Sequence, residues 1–134
     1  MHAHGQFNIW LNNRVVLARI KGQCNEDLAH KYAHAFREAI KPLSGKPWAH
    51  ILYLDDWDLA TPEVEVIMTD LVRYLALNGL TCSAQVFSSH ALKQFQLNRI
   101  VKEKKEAFKR RTFNDQASAV EWLASEGFSL TNPT

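Results

Sequence analysis

Residues 48–79 constrain what this chain can fold into more than any other stretch. Trp48 to Leu54 is a nearly unbroken apolar run of strand length. An acidic turn follows (Asp55-Asp56-Trp57-Asp58), then the helix start signal Thr61-Pro62-Glu63, and then a long amphipathic run that closes at Asn78-Gly79. A strand without alternation is apolar on both faces and has to be covered on both, the arrangement found where helices flank a parallel sheet. Open sheets of that kind bind their partners outside the carboxyl ends of the strands. The region from about residue 55 to residue 66 is therefore where a contact site is expected.

The segments on either side fit the same plan. Gln6 to Leu11 alternates, with Phe7, Ile9 and Leu11 on one face and Gln6, Asn8 and Trp10 on the other, and Arg14 to Lys21 alternates likewise. Two such runs joined by Asn12-Asn13, residues that tolerate positive φ, predict an antiparallel hairpin with a type I′ turn. Asn25 precedes Glu26 and Asp27 and predicts a helix N-cap. Leu28, Tyr32, Ala35, Phe36, Ala39 and Ile40 then recur at helical spacing up to the punctuating loop 42–47. Cys82 to Ser88 reads as a short strand. The stretch from His90 towards Lys105 reads as a helix whose apolar residues Leu92, Phe95, Leu97, Ile100 and Val101 scatter around its circumference. Arg110 to Phe113 reads as a last strand, with Asn114 capping a final helix that carries Ala117, Val120 and Leu123. The order is ββαβαβαβα: an α/β fold with a mixed, mostly parallel sheet, an opening antiparallel hairpin and helices on both faces. With 134 residues, one domain over residues 1–134 is expected to bury an ordinary core.

Composition excludes several classes. The sequence is 46% apolar and 22% charged, which argues against intrinsic disorder. No apolar run approaches the roughly 20 residues that span a bilayer, and the first residues lack a basic region and an apolar signal core, so a cytoplasmic protein is expected. A net charge of +2 gives no ground for nucleic acid as a partner. Cys24 and Cys82 lack the paired spacing of a metal or redox site and read as buried thiols.

Candidate chemistry is sparse. His30 and His34 lie one helical turn apart, opposite the apolar stripe of their helix, and read as a solvated face. Asp55, Asp56 and Asp58 follow a parallel strand, where a magnesium site would need a further acid from another strand end, and the ends near Lys21 and Ser88 offer none. The bland reading is a turn in which Asp58 or Thr61 caps the next helix. On that helix Val64, Ile67, Met68, Leu71, Val72 and Leu75 form the inward stripe, while Val66 and Leu77 fall on the far side with Asp70 and Arg73. Two apolar residues there define a possible contact patch with Asp58, Thr61 and Glu63 at its start. Lys102 to Arg111 holds six basic and two acidic residues around Phe108 and reads as a solvated helix end. No phosphate loop, nucleophile elbow or oriented Cys/His pair occurs, so no catalytic residue, metal or cofactor is expected.

Four features together resemble the SpoIIAA-like family, small bacterial proteins of the STAS fold class that includes sulfate-transporter domains and anti-anti-sigma factors. They are the opening hairpin, the Gly22-Gln23-Cys24-Asn25-Glu26 helix entry, the strand end Ile51-Leu52-Tyr53-Leu54-Asp55-Asp56, and Arg111-Thr112-Phe113 followed by Ala119-Val120-Glu121-Trp122-Leu123. The resemblance implies a regulatory or protein-interaction module, not an enzyme, with a partner surface around the second helix. STAS anti-anti-sigma factors carry an Asp-Ser-Ser-Gly-like segment whose serine is phosphorylated. This chain has Ala60-Thr61-Pro62-Glu63-Val64 there, so the phospho-switch does not carry over and Thr61 is at most a displaced substitute. Part of the family is also similar to Sec14-type lipid-binding domains, which implies an alternative: a small hydrophobic ligand held near Tyr53, Leu92 and Phe95. Two readings follow, docking of a protein or a second copy through Asp58, Thr61, Glu63, Val66 and Leu77, or binding of a lipid-like molecule.

Overall fold

Strands and helices alternate as the apolar pattern requires in the computed structural model of the chain, which describes residues 5–55, 57–58, 60–87, 96, 100 and 108–131. The strands are β1 (Gln6–Asn12), β2 (Val15–Lys21), β3 (Trp48–Tyr53), β4 (Leu80–Val86) and β5 (Lys109–Phe113). The helices are α1 (Glu26–Ala39), α2 (Pro62–Leu77) and α3 (Gln116–Ser125), with a short 3₁₀ turn at Lys41–Leu43. The five strands form one sheet in the order β1-β2-β3-β4-β5. β1 and β2 pair antiparallel, and every later pair is parallel.

Side-chain alternation divides the core into two layers. Trp48 and Leu54 join Val16, Ala18 and Ile20 beneath α1 and α2, where Ala29, Tyr32, Phe36, Val64, Met68 and Leu71 are buried. Ala49, Ile51 and Tyr53 point the other way with Val15, Leu17, Cys82 and Ala84, and are covered by Ala119, Trp122 and Leu123 of α3 and by Phe128. Consecutive parallel strands in sequence order leave α1 and α2 on one face, so the other face is covered from the chain's last helix. β4 keeps its two faces in step with β3 through a register shift beside Trp48 and Ala49, where Leu80 pairs with Trp48 but Cys82 with Ala49.

The helix starts follow side-chain chemistry. The Asn25 side chain accepts a hydrogen bond from the Leu28 N–H at 2.9 Å, and Thr61 Oγ1 accepts from the Val64 N–H at 3.3 Å. Thr61, not Asp58, is therefore the cap of α2. At α3 the cap is Asp115, whose carboxylate accepts from the Ser118 N–H at 2.7 Å, not Asn114. Ala119, Trp122 and Leu123 of this helix face the sheet, and Ala117 faces solvent. Hydrogen bonding to Ser118 holds the Asp115 carboxyl below its ordinary pKa.

The hairpin loop also differs from expectation. Asn12 pairs with Val15, so the two loop residues are Asn13 and Arg14. Asn13 has φ 56° and is the one non-glycine residue with positive φ among those described. A type I′ turn needs positive φ at both central positions, so this is not one. The asparagines act beyond their turn. Asn12 Oδ1 accepts from the Thr131 N–H at 2.7 Å, and Asn13 Nδ2 donates to the Ser129 carbonyl at 2.8 Å. The segment after α3 is thus tied to the hairpin, with Phe128 buried against the sheet.

The exit of α2 is sterically committed. Gly79 has φ 102°, and a Cβ there would lie 2.8 Å from the Lys46 carbonyl oxygen and 3.0 Å from the Trp48 indole. That indole donates to the Asn78 carbonyl at 2.8 Å. Gly79→Ala is expected to lower stability by about 1–3 kcal/mol in urea denaturation, and an unchanged midpoint would show that this turn relaxes freely.

Candidate functional site

Two regions carry the candidate chemistry: the turn and outer face of α2, and a cavity between α2 and the sheet. Trp57 and Asp58 tie the turn to the end of β2. Trp57 is only 4% exposed and forms a parallel bridge with Gly22 at the end of β2, while the Asp58 N–H donates to the Gly22 carbonyl at 3.2 Å. What reads in sequence as an acidic turn is a buried indole with Asp55 and Asp58 turned to solvent. The strands run in sequence order, so the described sheet has no reversal of order of the kind at which the open-sheet rule places a binding crevice. Trp57 fills the space at the carboxyl end of β3 instead.

Gln96 locks the entry to α2. Its side-chain amide accepts from the Ala60 N–H at 2.9 Å and donates to the Ala60 carbonyl at 2.8 Å. It also donates to the Glu65 carboxylate. Beyond the cap, Glu63 is exposed, and Val66 and Leu77 are 62% and 80% exposed. Val66, Asp70, Arg73 and Leu77 follow helical spacing along one outward stripe, with the Arg73 guanidinium 2.9 Å from the Asp70 carboxylate. The stripe therefore has an apolar residue at each end and an ion pair between them.

The cavity lies on the α1/α2 side of the sheet and has a volume of about 70 Å³. Its apolar wall includes Ile20, Phe36, Leu52, Met68, Leu71 and Ile100. Its polar floor comes from β3 and β4, where His50 is in register with Ser83 and Leu52 with Gln85. Gln85 Nε2 donates to Ser83 Oγ at 3.2 Å, and Arg110 of β5 donates to Gln85 Oε1 at 3.3 Å. His50 packs edge-on against Phe36, with ring centres 4.9 Å apart. Burial keeps this imidazole neutral, its pKa pushed down to about 3. His50 Nε2 and Trp57 Nε1 are both buried without a hydrogen-bond partner among the described residues, and both side chains line the cavity. Tyr32, also in the lining, has its phenol pKa pushed up by burial and secondarily by Cys24.

The residues expected to hold an apolar ligand divide differently. Tyr53 does not line this cavity: strand alternation sends it to the opposite face. There its hydroxyl donates to Gln116 Oε1 at 2.8 Å, and its ring stacks on Trp10 beneath Arg19. Leu92 and Phe95 lie outside the described residues, as do Asp56, Leu97, Val101 and residues 102–107 of the basic run. The end of that run is edge strand, not helix. Lys109 pairs with Glu126 at 2.8 Å, and Arg111 lies over Phe113 and Trp122. His30 and His34 are exposed, and Cys24 and Cys82 are free and buried, as their spacing suggested. His50, Ser83, Gln85 and Trp57 escaped the sequence reading. Their one signal was polar groups recurring in strands otherwise apolar on both faces.

Two solved structures align over nearly the whole chain. An uncharacterised protein of the DUF3478 family with a SpoIIAA-like fold, from Shewanella loihica PV-4, superposes with a TM-score of 0.71 at 10% identity, covering 92% of this chain and 98% of its own. The fold is SpoIIAA-like. The protein TM1081, determined by NMR, superposes with a TM-score of 0.55 at 17% identity, covering 91% of this chain and 90% of its own. No protein-family model and no curated protein matches the sequence. At these identities the likeness is one of architecture: the SpoIIAA-like sheet is shared, and the polar floor of the cavity is described from this chain alone. Among the described residues no helix is long and apolar enough to cross a membrane.

His50 makes stability pH-dependent with a definite sign. The unfolded imidazole titrates near 6.5 and the folded one near 3, so between these values the unfolded chain binds the extra proton and stability falls as pH falls. The loss is about 1.4 kcal/mol per pH unit below the unfolded value. His50→Leu should remove this component, so that the stability difference between the two proteins changes steadily from pH 6.5 towards 4; a difference that stays constant would mean that His50 is protonated in place. Gln96→Ala strips both backbone partners from Ala60 and is expected to lower stability by about 1–3 kcal/mol, measured by thermal unfolding.

Proposed function

We propose that residues 1–134 form a single non-enzymatic regulatory module, working in the cytoplasm, that docks a protein partner or a second copy of itself through the outer stripe of α2 and the turn before it. The observation that carries this reading is the pairing of Val66 and Leu77, 62% and 80% exposed, at the two ends of one stripe, beside the acids Asp58 and Glu63. Most apolar residues of α2 are drawn into the core, so two left outward at matching helical phase form a surface suited to burial against another chain. The Thr61 cap and the Gln96 contacts to Ala60 support it, because they hold the start of the helix in place and a pre-organised element loses less freedom on binding. Free Cys24 and Cys82 suit a reducing compartment. Thr61 takes part as the helix cap, its hydroxyl already accepting from Val64, and the phospho-serine device of anti-anti-sigma factors has no counterpart at this position.

A second reading, binding of a small apolar molecule, is favoured by the cavity beneath α2. Its volume of about 70 Å³ is well below the 300 Å³ or more typical of drug-sized ligands. The reading therefore narrows from a lipid-like carrier to a holder of something much smaller.

Val66→Asp and Leu77→Asp are expected to weaken the complex, each by at least about tenfold, with no change in melting temperature because both positions face solvent. Sedimentation would report self-association, and cross-linking followed by mass spectrometry would report a partner. A complex untouched by both substitutions would remove α2 as the docking element.

A further inference from the structure

We propose that the cavity beneath α2 is a recognition site for a small uncharged molecule carrying a hydroxyl group, selected by the buried ring nitrogens of His50 and Trp57 in the cavity wall. The proposal rests on the second functional reading and deepens it by assigning the chemistry of the ligand. Three observations converge. The cavity is bounded mainly by aliphatic and aromatic side chains, including Ile20, Phe36, Leu52 and Leu71, so most of the ligand is apolar. Two polar side chains in its wall, His50 and Trp57, are 6% and 4% exposed. Each has a ring nitrogen buried without a partner among the described residues. A buried polar atom left unpaired is destabilising, and native proteins retain such atoms mainly where something else satisfies them.

The groups also select the ligand's polar end. An indole N–H only donates, whereas a neutral imidazole has one nitrogen that donates and one that accepts. A hydroxyl both accepts and donates, so it can serve either ring; an alkane serves neither. Charge is disfavoured, because the described lining residues include no Lys, Arg, Asp or Glu, and a carboxylate buried without a cation is strongly destabilised. Size is limited too. At about 70 Å³ the cavity is roughly half of one that admits benzene, about 150 Å³. Met68 in the wall, with its unbranched flexible side chain, lets the fit adjust. An alcohol of about two carbons meets these requirements, and an acyl chain of membrane length does not.

The test titrates the isotope-labelled full chain with ethanol, ethane and acetate while following the indole N–H resonance of Trp57, assigned by its disappearance in Trp57→Phe. The expected result is a saturable shift with ethanol, at least about fivefold tighter than the binding of ethane, and no saturable response to acetate. His50→Leu keeps a cavity-lining side chain of comparable bulk and removes an unpaired polar atom, so it should fold, still bind ethane and lose most of the preference for the alcohol. Trp57→Phe, read through the Met68 methyl resonance, should do the same. Equal affinity for ethanol and ethane, or tighter binding of acetate, would overturn the assignment of an uncharged hydroxyl ligand while leaving an apolar site in place. Failure of all three to bind would overturn both this inference and the small-ligand reading on which it rests.

Discussion

The structure depends on the double burial of β3. Trp48, Ala49 and Ile51 are fully buried, and because successive strand residues point to opposite faces, one strand obliges the chain to build a layer on each side of the sheet. Sequence-ordered parallel pairing then places α1 and α2 together on one side. The other side falls to α3 and Phe128, which reach it only after β5 has completed the sheet. The asparagines of the hairpin complete this second layer by holding the segment at 129–131 against the opposite end of the chain. Removal of water from both faces of one strand thus sets the order in which everything else is placed.

The same demand explains where the candidate sites lie. The described sheet has no reversal of strand order, and Trp57 is buried just beyond the end of β3. The candidate chemistry is divided here between an outward helix face and the cavity beneath the same helix. The helix face is held by the Thr61 cap and by Gln96, whose amide pairs with both polar groups of the Ala60 backbone. The enclosed volume arises because His50, Ser83 and Gln85 replace aliphatic residues at three inward positions of β3 and β4, and polar groups there do not fill a core as branched aliphatics do. The proposed docking face and the cavity share one element, since Met68, Leu71, Val72 and Leu75 line the cavity from the opposite face of the helix that carries Val66 and Leu77.

Much of the architecture was legible in the residues. The unbroken run at Trp48, the alternation from Gln6 to Lys21, the caps Asn25 and Thr61 and the closing Asn78-Gly79 are local signals, each tied to backbone geometry within a few residues. They led to the mixed, mostly parallel sheet with an antiparallel opening that the structure contains. The exposure of Val66 and Leu77 was legible for the same reason, because helical phase alone puts them opposite Val64, Met68 and Leu71. Errors came where two local candidates competed. Asn114 and Asp115 are both good caps, and only the docking of Trp122 against Phe113 and the sheet distinguishes them. Asn12-Asn13 and Asn13-Arg14 are both feasible turns, and strand register chooses between them.

The sequence by itself determined the fold class, the number and order of the strands and the outward stripe of α2, because these follow from the periodicity of apolar residues along the chain. The tertiary structure alone decided that Tyr53 leaves the α1/α2 side while Trp57 enters it, that His50 lies beside Ser83, and that Gln96 reaches back to Ala60. Those relations join residues distant in the chain through strand register and side-chain direction. A sequence records neither until the sheet has closed and its faces have been assigned.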